Sequence, residues 1–411
     1  MLSHTTEAGS WAWVGLRLAP ARSLHAHRGY ADVPEEERRR QASAAELAWL
    51  AGLCRPGEAV RFELRHISEP GRGLLRCVLL GQAAGATPEA AQALAGALRG
   101  RLAQLPPHVV GQEITEEGEL LAELDPFGGS TGAGASAGSG AGDSAGGERR
   151  AAVVVELRKR LTARPLSRTD TDRSHAVVAH NLAGAGVGWE PFWAALADRP
   201  ERTVLSVALA AQQLARPEID ELARYAQEYQ RLAAPARTAS TWQLSRPGDP
   251  AAHEAAGCLA QAVQRAVHPG YRMRLTLVGA EQQRAGSTAE LAHLLAGLLG
   301  GPAAPAAVLP VLGAERAAAL ANLAAVNLEP LPHTYAQGLP PGHYGWVEQT
   351  LSAFGDLGEA AGALRLPYQV LSHRPLFDDR FVATGAGPVA NGSAPAAPPR
   401  PPGPAPARPQ F

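Results

Sequence analysis

The chain of 411 residues is almost neutral, with 38 basic against 39 acidic side chains, and 45% of its residues are apolar. This length allows two or three domains with hydrophobic cores, and the charge balance excludes an overall field that would draw the protein to nucleic acid or to an anionic membrane. The first residues contain no basic segment followed by an apolar run, so we expect no signal peptide, no membrane insertion and a cytoplasmic protein.

The first 127 residues predict the element order β-α-β-β-α-β. A helix over residues 34–53 carries three glutamates in its first turn, which suit the positive end of the helix dipole. A second helix begins at Thr87-Pro88-Glu89, where a capping hydroxyl residue precedes proline. Alternation of apolar and polar residues in Val60–Ile67 predicts a strand with one buried and one exposed face. Strands are expected at residues 11–18, 60–67, 74–80 and 109–114, and an acidic helical segment at the end of the module.

The following residues predict a second module with the same order and an insertion. His175–His180 is expected to be its first strand, followed by a short helix and the buried strand Val204–Ala210. Two helices, 217–233 and 250–267, then precede the strand Tyr271–Val278, in place of the hairpin turn of the first module. We therefore predict an α+β fold of two ferredoxin-like (β-α-β-β-α-β) modules, the second with a helical insertion, plus C-terminal helices.

Two further segments have the composition of unfolded chain. Residues 128–147 consist almost wholly of Gly, Ser and Ala, as flexible linkers do. Residues 383–411 are rich in proline and end in PPRPPGPAPARPQF, which is typical of a disordered or polyproline tail. The predicted organisation is a module over 1–127, a linker over 128–147, a second module over 148–382 and a tail over 383–411, where a further partner could bind.

No phosphate-binding loop occurs in the sequence. Such a loop places a lysine between a glycine and a hydroxyl residue, whereas Lys159, the only lysine, lies in ELRKRL with no glycine near it. Two GxSxG matches, around Ser136 and Ser144, fall inside the predicted linker and not on the rigid strand-to-helix turn that a nucleophile elbow needs. We therefore expect no enzymatic activity, no nucleotide turnover and no cofactor.

One polar cluster leaves an enzyme open as an alternative. Asp170, Asp172, His175 and His180 are residue types that bind divalent ions, which allows an unrecognised site near Asp170–His180. The two histidines flank a predicted strand, however, and need not converge with the aspartates. A solvated loop before a strand is the preferred interpretation, and we assign no metal.

A nucleic-acid-binding adaptor is the other alternative, because ferredoxin-like sheets can stack bases on surface aromatic residues. Only Trp11 and Trp13 could form such a platform, since the strand Leu74–Leu80 has no aromatic residue. Tryptophans in strands are more often core anchors, and the arginines are scattered along the sequence. We do not expect nucleic acid to be the partner.

Four segments between residues 150 and 367 carry a family resemblance: VVVELR at Val153–Arg158, WEPFWAALADRPERTVLSVALAAQQLARPEIDELARYAQ from Trp189, YRMRLTLVG from Tyr271, and ALRLP at Ala363–Pro367. In this order they resemble the non-ATPase, N-terminal region of bacterial HerA/FtsK-like ATPases, including the VirB-class conjugation motors. The resemblance implies that an RLP-like element leads into a motor domain, whereas this chain continues through LSHRPLFDDRF. It implies a non-catalytic accessory module of an ATP-driven translocase, with a separately encoded ATPase motor as partner, and it carries over no catalytic residue.

The segment Tyr344–Phe381 is the candidate surface for that partner. It is rich in aromatic residues, which are favoured anchors of protein interfaces. The alternative is that these rings pack onto the protein's own sheet. The candidate partner-binding residues are Tyr344, Trp346, Phe354, Tyr368, Phe377 and Phe381.

Overall fold

A computed structural model describes residues 1–7, 9–21, 32–127, 152–168, 170–184, 186, 188–235, 247–280, 285–300, 304–369 and 374–383. The predicted linker at 128–147 and nearly all of the predicted tail at 383–411 lie outside the described residues.

Most strands belong to one antiparallel sheet with the order β1-β2-β4-β3-β9-β10-β6-β11. Two shorter strands also join it, β5 beside β2 and β12 beside β10, whereas β7 and β8 form a separate hairpin. The bounds are β1 Leu2–Thr6, β2 Gly9–Pro20, β3 Val60–Glu69, β4 Leu74–Gly85, β5 Val109–Glu113, β6 Ala152–Arg158, β7 Leu161–Pro165, β8 His175–Ala179, β9 Thr203–Gln212, β10 Gly270–Ala280, β11 Ala307–Pro310 and β12 Phe354–Gly355.

The helices predicted at 34–53, 217–233 and 250–267 begin and end within a few residues of those positions. Thr87 caps the second helix through its hydroxyl oxygen, which accepts a hydrogen bond from the backbone N–H of Ala90. The bounds are α1 Glu35–Leu53, α2 Pro88–Leu102, α3 Glu117–Leu124, α4 Glu190–Ala197, α5 Arg216–Ala233, α6 Pro250–Ala266, α7 Ala285–Leu299, α8 Arg316–Ala325, α9 Pro332–Tyr335, α10 Trp346–Ala353, α11 Leu357–Ala363 and α12 Arg380–Ala383.

The strand order is the same in the two halves of the large sheet. Residues before 128 contribute β5-β2-β4-β3, and residues after 151 contribute β11-β6-β10-β9. The halves are joined edge to edge by antiparallel pairing of β3 with β9, from Phe62 opposite Leu209 to Ile67 opposite Val204. The predicted α+β character is therefore confirmed, and the sheet runs through both predicted modules without a break.

One predicted strand has a different place in the fold. His175–Ala179 is a strand, β8, but it pairs only with β7 in the small hairpin. The first strand of the second half of the sheet is β6, which pairs with both β10 and β11. Apolar periodicity predicts that a segment is extended, but it does not determine which neighbour supplies its hydrogen bonds.

The two faces of the sheet are covered differently. On the helical face, α1, α2, α4, α7 and α11 pack against a large apolar core. The opposite face, called the polar face below, is covered by α3, α8 and α9 and carries several charged residues. Strand β3 was expected to expose its polar side, but Glu63 and Arg65 are completely buried because α3 and α8 cover them. The Arg65 guanidinium donates to backbone carbonyls of Glu123, Leu124 and Leu323, in the last turns of those two helices.

The β7–β8 hairpin, α5 and α6 form an inserted lobe with its own apolar core. Helix α10 joins this core through Val347 and Leu351. Its position between the inserted lobe and the large sheet places the aromatic segment around Trp346 near the polar face. No helix in the described ranges is long and apolar enough to cross a bilayer.

Candidate functional site

A pocket of about 200 Å³ lies on the polar face beside α10. Its base is formed by the ends of β6, β9 and β10, which contribute Arg158, Gln212, Arg272 and Arg274. Its wall is formed by aromatic and aliphatic side chains from α9, α10 and the segments beside them. These wall residues include Leu328, Pro330, Tyr335, Tyr344, Trp346, Gln349, Thr350, Ala353 and Phe354.

The strand register explains why three arginines meet here. Residues two apart on a strand share a face, so Arg272 and Arg274 of β10 both project onto the polar face. Leu275 pairs with Leu157, which brings Arg274 beside Arg158 on the next strand. On the other side Ala208 and Ala210 of β9 lie opposite Arg274 and Arg272. The neighbours of the two arginines on this strand are therefore small side chains.

A glycine fixes one wall of the pocket. The short strand β12 pairs with the beginning of β10, so that Phe354 lies opposite Arg272. A Cβ atom at Gly270 would collide with the carbonyl oxygen of Gly355 and with the Phe354 ring. Because position 270 is glycine, the segment that follows α10 can approach the sheet and close the pocket on this side.

Arg158 and Arg272 are held at the sides of the pocket. The guanidinium of Arg158 lies 3.8 Å from the centre of the Tyr335 ring, in a cation–π contact. Arg272 donates from Nη2 to the carbonyl oxygen of Leu328 at 2.6 Å. Burial lowers the pKa of Arg272, Glu329 partly opposes this, and the nearby charge of Arg158 lowers it further.

Arg274 lies at the base of the pocket, where it is 2% exposed. Its nearest carboxylate oxygen is Oε2 of Glu63, at 3.6 Å from Nη2. The other oxygen of Glu63 already accepts from Nε of Arg65 at 2.6 Å and from Oγ of Ser206 at 2.7 Å. None of the three guanidinium nitrogens of Arg274 has a hydrogen-bond partner among the residues that the structure describes.

A buried glutamate, Glu156, lies near Arg274 on the polar face, opposite Thr276 of the neighbouring strand. Glu156 is completely buried and accepts from Oγ1 of Thr276 at 2.6 Å and from the Tyr335 hydroxyl at 3.3 Å. Burial raises the pKa of Glu156, and the charge of Arg274 partly opposes that shift. Burial, and after it the charge of Glu156, also raises the pKa of Tyr335.

The pocket has the chemistry of a binding site. Its described lining contains arginine, glutamine, threonine and tyrosine donors and aromatic rings, and within that part it contains no carboxylate, histidine or cysteine that could act as base or nucleophile. The arrangement can bind and orient an anion next to apolar surface.

The six predicted partner-binding residues fall into three places. Tyr344, Trp346 and Phe354 meet at the pocket, and Trp346 is 38% exposed. Tyr368 is buried beside His108, and its hydroxyl donates to Glu35 at 3.0 Å. Phe377 is 2% exposed and lies against Trp193 on the helical face. Phe381 lines a separate cavity of about 260 Å³ whose charged groups, Arg17, Glu69, Arg76, Asp378 and Arg380, take part in ion pairs.

The four polar residues of the alternative site do not come together. Asp170 accepts two hydrogen bonds from the guanidinium of Arg168, at 2.8 and 2.7 Å. It accepts a third from the guanidinium of Arg231, at 2.8 Å. These arginines lower the pKa of Asp170. His175 contacts Ser174 and the ring of His343, whereas His180 contacts Thr162. Among the described residues no group of three or more metal-ligating side chains is present.

The remaining sequence candidates occupy structural positions. Trp13 is 8% exposed, and its indole N–H donates to the carbonyl oxygen of Ala325, so it does not form an open stacking platform with Trp11. Lys159 is buried and pairs with Glu359 at 2.7 Å. Ser136 and Ser144 lie outside the described residues.

The arginines of the pocket were missed because they are far apart in sequence. Residues 158, 272 and 274 come from two strands separated by more than a hundred positions. The available signal was YRMRLTLV, in which two arginines alternate with apolar residues at the beginning of a strand that is otherwise buried. Recognising the pocket also required the order β9-β10-β6.

Comparison with known proteins adds no family to this description. No protein-family model matches the sequence, and a search of curated proteins gives no similar protein.

Proposed function

We propose that this protein is a non-catalytic interaction module that binds a partner protein over the rim of the pocket, with exposed Trp346 and half-buried Tyr344 as contacts and with buried Phe354 supporting them from below. The observation that carries this proposal is the exposed ring of Trp346 beside a pocket that offers donors and apolar surface but no catalytic group. Tryptophan, tyrosine and arginine are the residue types that most often dominate the energy of a protein interface.

The partner that we propose is a separately encoded ATPase motor of the HerA/FtsK-like class. The sequence resemblance supports this choice, because its segments coincide with β6, with α4, β9 and α5, with β10 and with the end of α11. The pocket is built on β6, β9 and β10. The predicted proline-rich tail at 383–411 would add a second binding segment for another partner.

At the level of fold we propose a duplicated ferredoxin-like unit. The equal strand orders β5-β2-β4-β3 and β11-β6-β10-β9 support two β-α-β-β-α-β modules joined at β3 and β9. In this interpretation the second module contains two insertions, the β7–β8 hairpin and the pair α5–α6, which together form the inserted lobe.

Binding to the motor can be tested by co-expression with a HerA/FtsK-like ATPase encoded beside this chain. We expect Trp346→Ala to weaken co-purification at least about tenfold, because a truncated interface anchor typically costs more than 1–2 kcal/mol. The matched control is Leu294→Ala, since Leu294 on α7 is 39% exposed and lies far from the pocket in the fold. Both variants should keep the wild-type melting temperature. Unchanged binding by Trp346→Ala would reject the proposed surface.

A further inference from the structure

We propose that the pocket binds the carboxylate of an acidic side chain on the partner protein, with Arg274 at its base and with Arg158 and Arg272 at its sides. This inference rests on the proposed function, because it names the chemistry that the pocket recognises beneath the aromatic rim.

Arg274 lacks the hydrogen-bond partners that a buried charge needs. A buried charge is stable only when it is paired and its donors have acceptors. Arg274 is 2% exposed, its three guanidinium nitrogens have no hydrogen-bond acceptor among the described residues, and its closest carboxylate oxygen is 3.6 Å away. These nitrogens lie at the base of the pocket and are closed off from solvent, so a ligand acceptor reaches them when the side chains that line the pocket move aside.

The pocket has an excess of positive charge. Arg158, Arg272 and Arg274 line it, whereas none of its described lining residues is acidic. Arg61 lies on the adjoining part of the polar face, and after burial and Glu329, the charges of Arg272 and Arg274 contribute to lowering its pKa. Glu63 is shared between Arg65 and Arg274. An incoming anion would reduce the mutual repulsion of these guanidinium groups.

The pocket is small for a whole ligand. Pockets that enclose a whole small-molecule ligand usually measure about 300–1,000 Å³, and this one measures about 200 Å³. It therefore fits the end of one side chain better than a nucleotide. Guanidinium groups bind carboxylates through two parallel hydrogen bonds, and Arg274 has donors that make no hydrogen bond to the described residues. The Trp346 ring at the rim would cover the apolar stem of that side chain.

The inference is tested on the purified full chain without the motor. The probes are a blocked tetraglutamate peptide, the blocked tetraglutamine peptide of equal length, and inorganic phosphate, all at equal ionic strength. We expect the glutamate peptide to raise the melting temperature by about 2 °C at saturation and to change the tryptophan fluorescence of the wild type but not of Trp346→Phe, while the glutamine peptide does neither. Tighter binding of phosphate than of the glutamate peptide, lost in the pocket variants below, would overturn the assignment to a carboxylate.

Two pocket variants and one control make the result specific. Arg274→Met and Arg272→Gln should each weaken binding of the glutamate peptide at least tenfold. Arg216→Gln removes an equal charge from α5, where Arg216 is highly exposed, and should leave binding unchanged. Equal weakening by all three variants would indicate only a general charge effect and would overturn the site.

Arg274→Met also separates a ligand-binding role from a structural one. Removing one partner of a buried ion pair leaves the other charge less well compensated, but in this variant Glu63 keeps its bonds from Arg65 and Ser206. We expect the unliganded variant to melt only slightly below the wild-type temperature; a large decrease would assign Arg274 to the fold, and Arg272→Gln would then decide the binding question alone. If the peptide binds but the motor does not, the proposed partner is wrong; if the motor binds through Trp346 but no acidic peptide binds, the carboxylate is wrong.

Discussion

His66 is a histidine enclosed by aromatic rings on the helical face of β3. It is completely buried, and its ring centre lies 6.1 Å from that of Trp189, 5.9 Å from that of Trp193 and 6.2 Å from that of Phe377. Burial lowers the pKa of His66 from 6.5 to about 3, and the backbone of Arg365 opposes the shift only in part. The His66 side chain is therefore neutral in the folded protein at neutral pH.

The lowered pKa of His66 predicts a loss of stability in acid. The unfolded chain binds a proton near pH 6.5 and the folded one only near pH 3. The stabilisation by neutral His66 is therefore complete above pH 6.5 and is lost as the pH falls toward 3. Linkage gives a loss of about 2 kcal/mol between pH 6.5 and pH 5. Urea unfolding measures the free energy of unfolding at both pH values. Its decrease from pH 6.5 to pH 5 should be about 2 kcal/mol smaller in His66→Phe than in the wild type; equal decreases would contradict the prediction.

The residues of β3 show what the sequence could predict at this scale. Alternation correctly separated Phe62 and Leu64 from Glu63 and Arg65 on opposite faces. It did not predict that the charged face is buried, because the cover consists of α3 and α8, which lie far away in sequence. A charged residue can be buried when distant backbone carbonyls accept its hydrogen bonds, and such partners leave no local pattern.

Asp249 connects two parts of the inserted lobe. Asp249 is the N-cap of α6. Its Oδ1 accepts hydrogen bonds from the backbone N–H groups of Ala251 and Ala252 at 2.9 and 3.0 Å. The other oxygen accepts from the backbone N–H and the hydroxyl of Ser167, at 2.5 and 2.6 Å. Burial opposes ionisation, but these hydrogen bonds outweigh it and lower the pKa of Asp249. The carboxylate therefore fixes the start of α6 to the loop that precedes β8.

Asp249→Ala should destabilise the protein by about 2 kcal/mol, the upper range for loss of an N-cap, since four donors lose one acceptor group. Asp249→Asn retains one side-chain oxygen and should lose about half as much. Because the pKa is lowered on folding, the contribution of Asp249 is present above the unfolded pKa of about 4 and is lost as the pH falls through the folded value. Urea unfolding at pH 7 measures both variants, and equal losses in the two would contradict the role of the second oxygen.

Element types and bounds were largely predictable, whereas their pairing was not. The helices α5 and α6 begin at Arg216 and Pro250, close to the predicted starts, because proline marks both N-termini. By contrast β8 was assigned to the main sheet, where β6 lies instead. Both segments are short apolar runs, and only long-range contacts determine which one joins β10. The same limitation hid the arginine pocket, which depends on the strand order β9-β10-β6.

At the scale of the whole molecule, the junction between β3 and β9 determines how the two halves of the chain depend on each other. Leu64 lies opposite Val207, and both side chains are completely buried in the core of the helical face. That core contains residues from both halves. Separating the halves would expose an apolar sheet edge on each side, with unpaired backbone N–H and C=O groups.

We therefore expect the two halves to stay associated after the chain between them is cleaved. With a protease site placed within residues 128–147, the cleaved protein should elute as one species of unchanged size in gel filtration. Val207→Asp would place a charge in the junction core opposite Leu64, and after cleavage we expect this variant to separate into its two fragments.

The fragment 1–127 expressed alone should aggregate, since β3 then becomes an open apolar edge. If the two fragments of the cleaved wild-type protein separate, and each remains folded and monomeric, the two halves are autonomous domains and the shared core contributes little to their association.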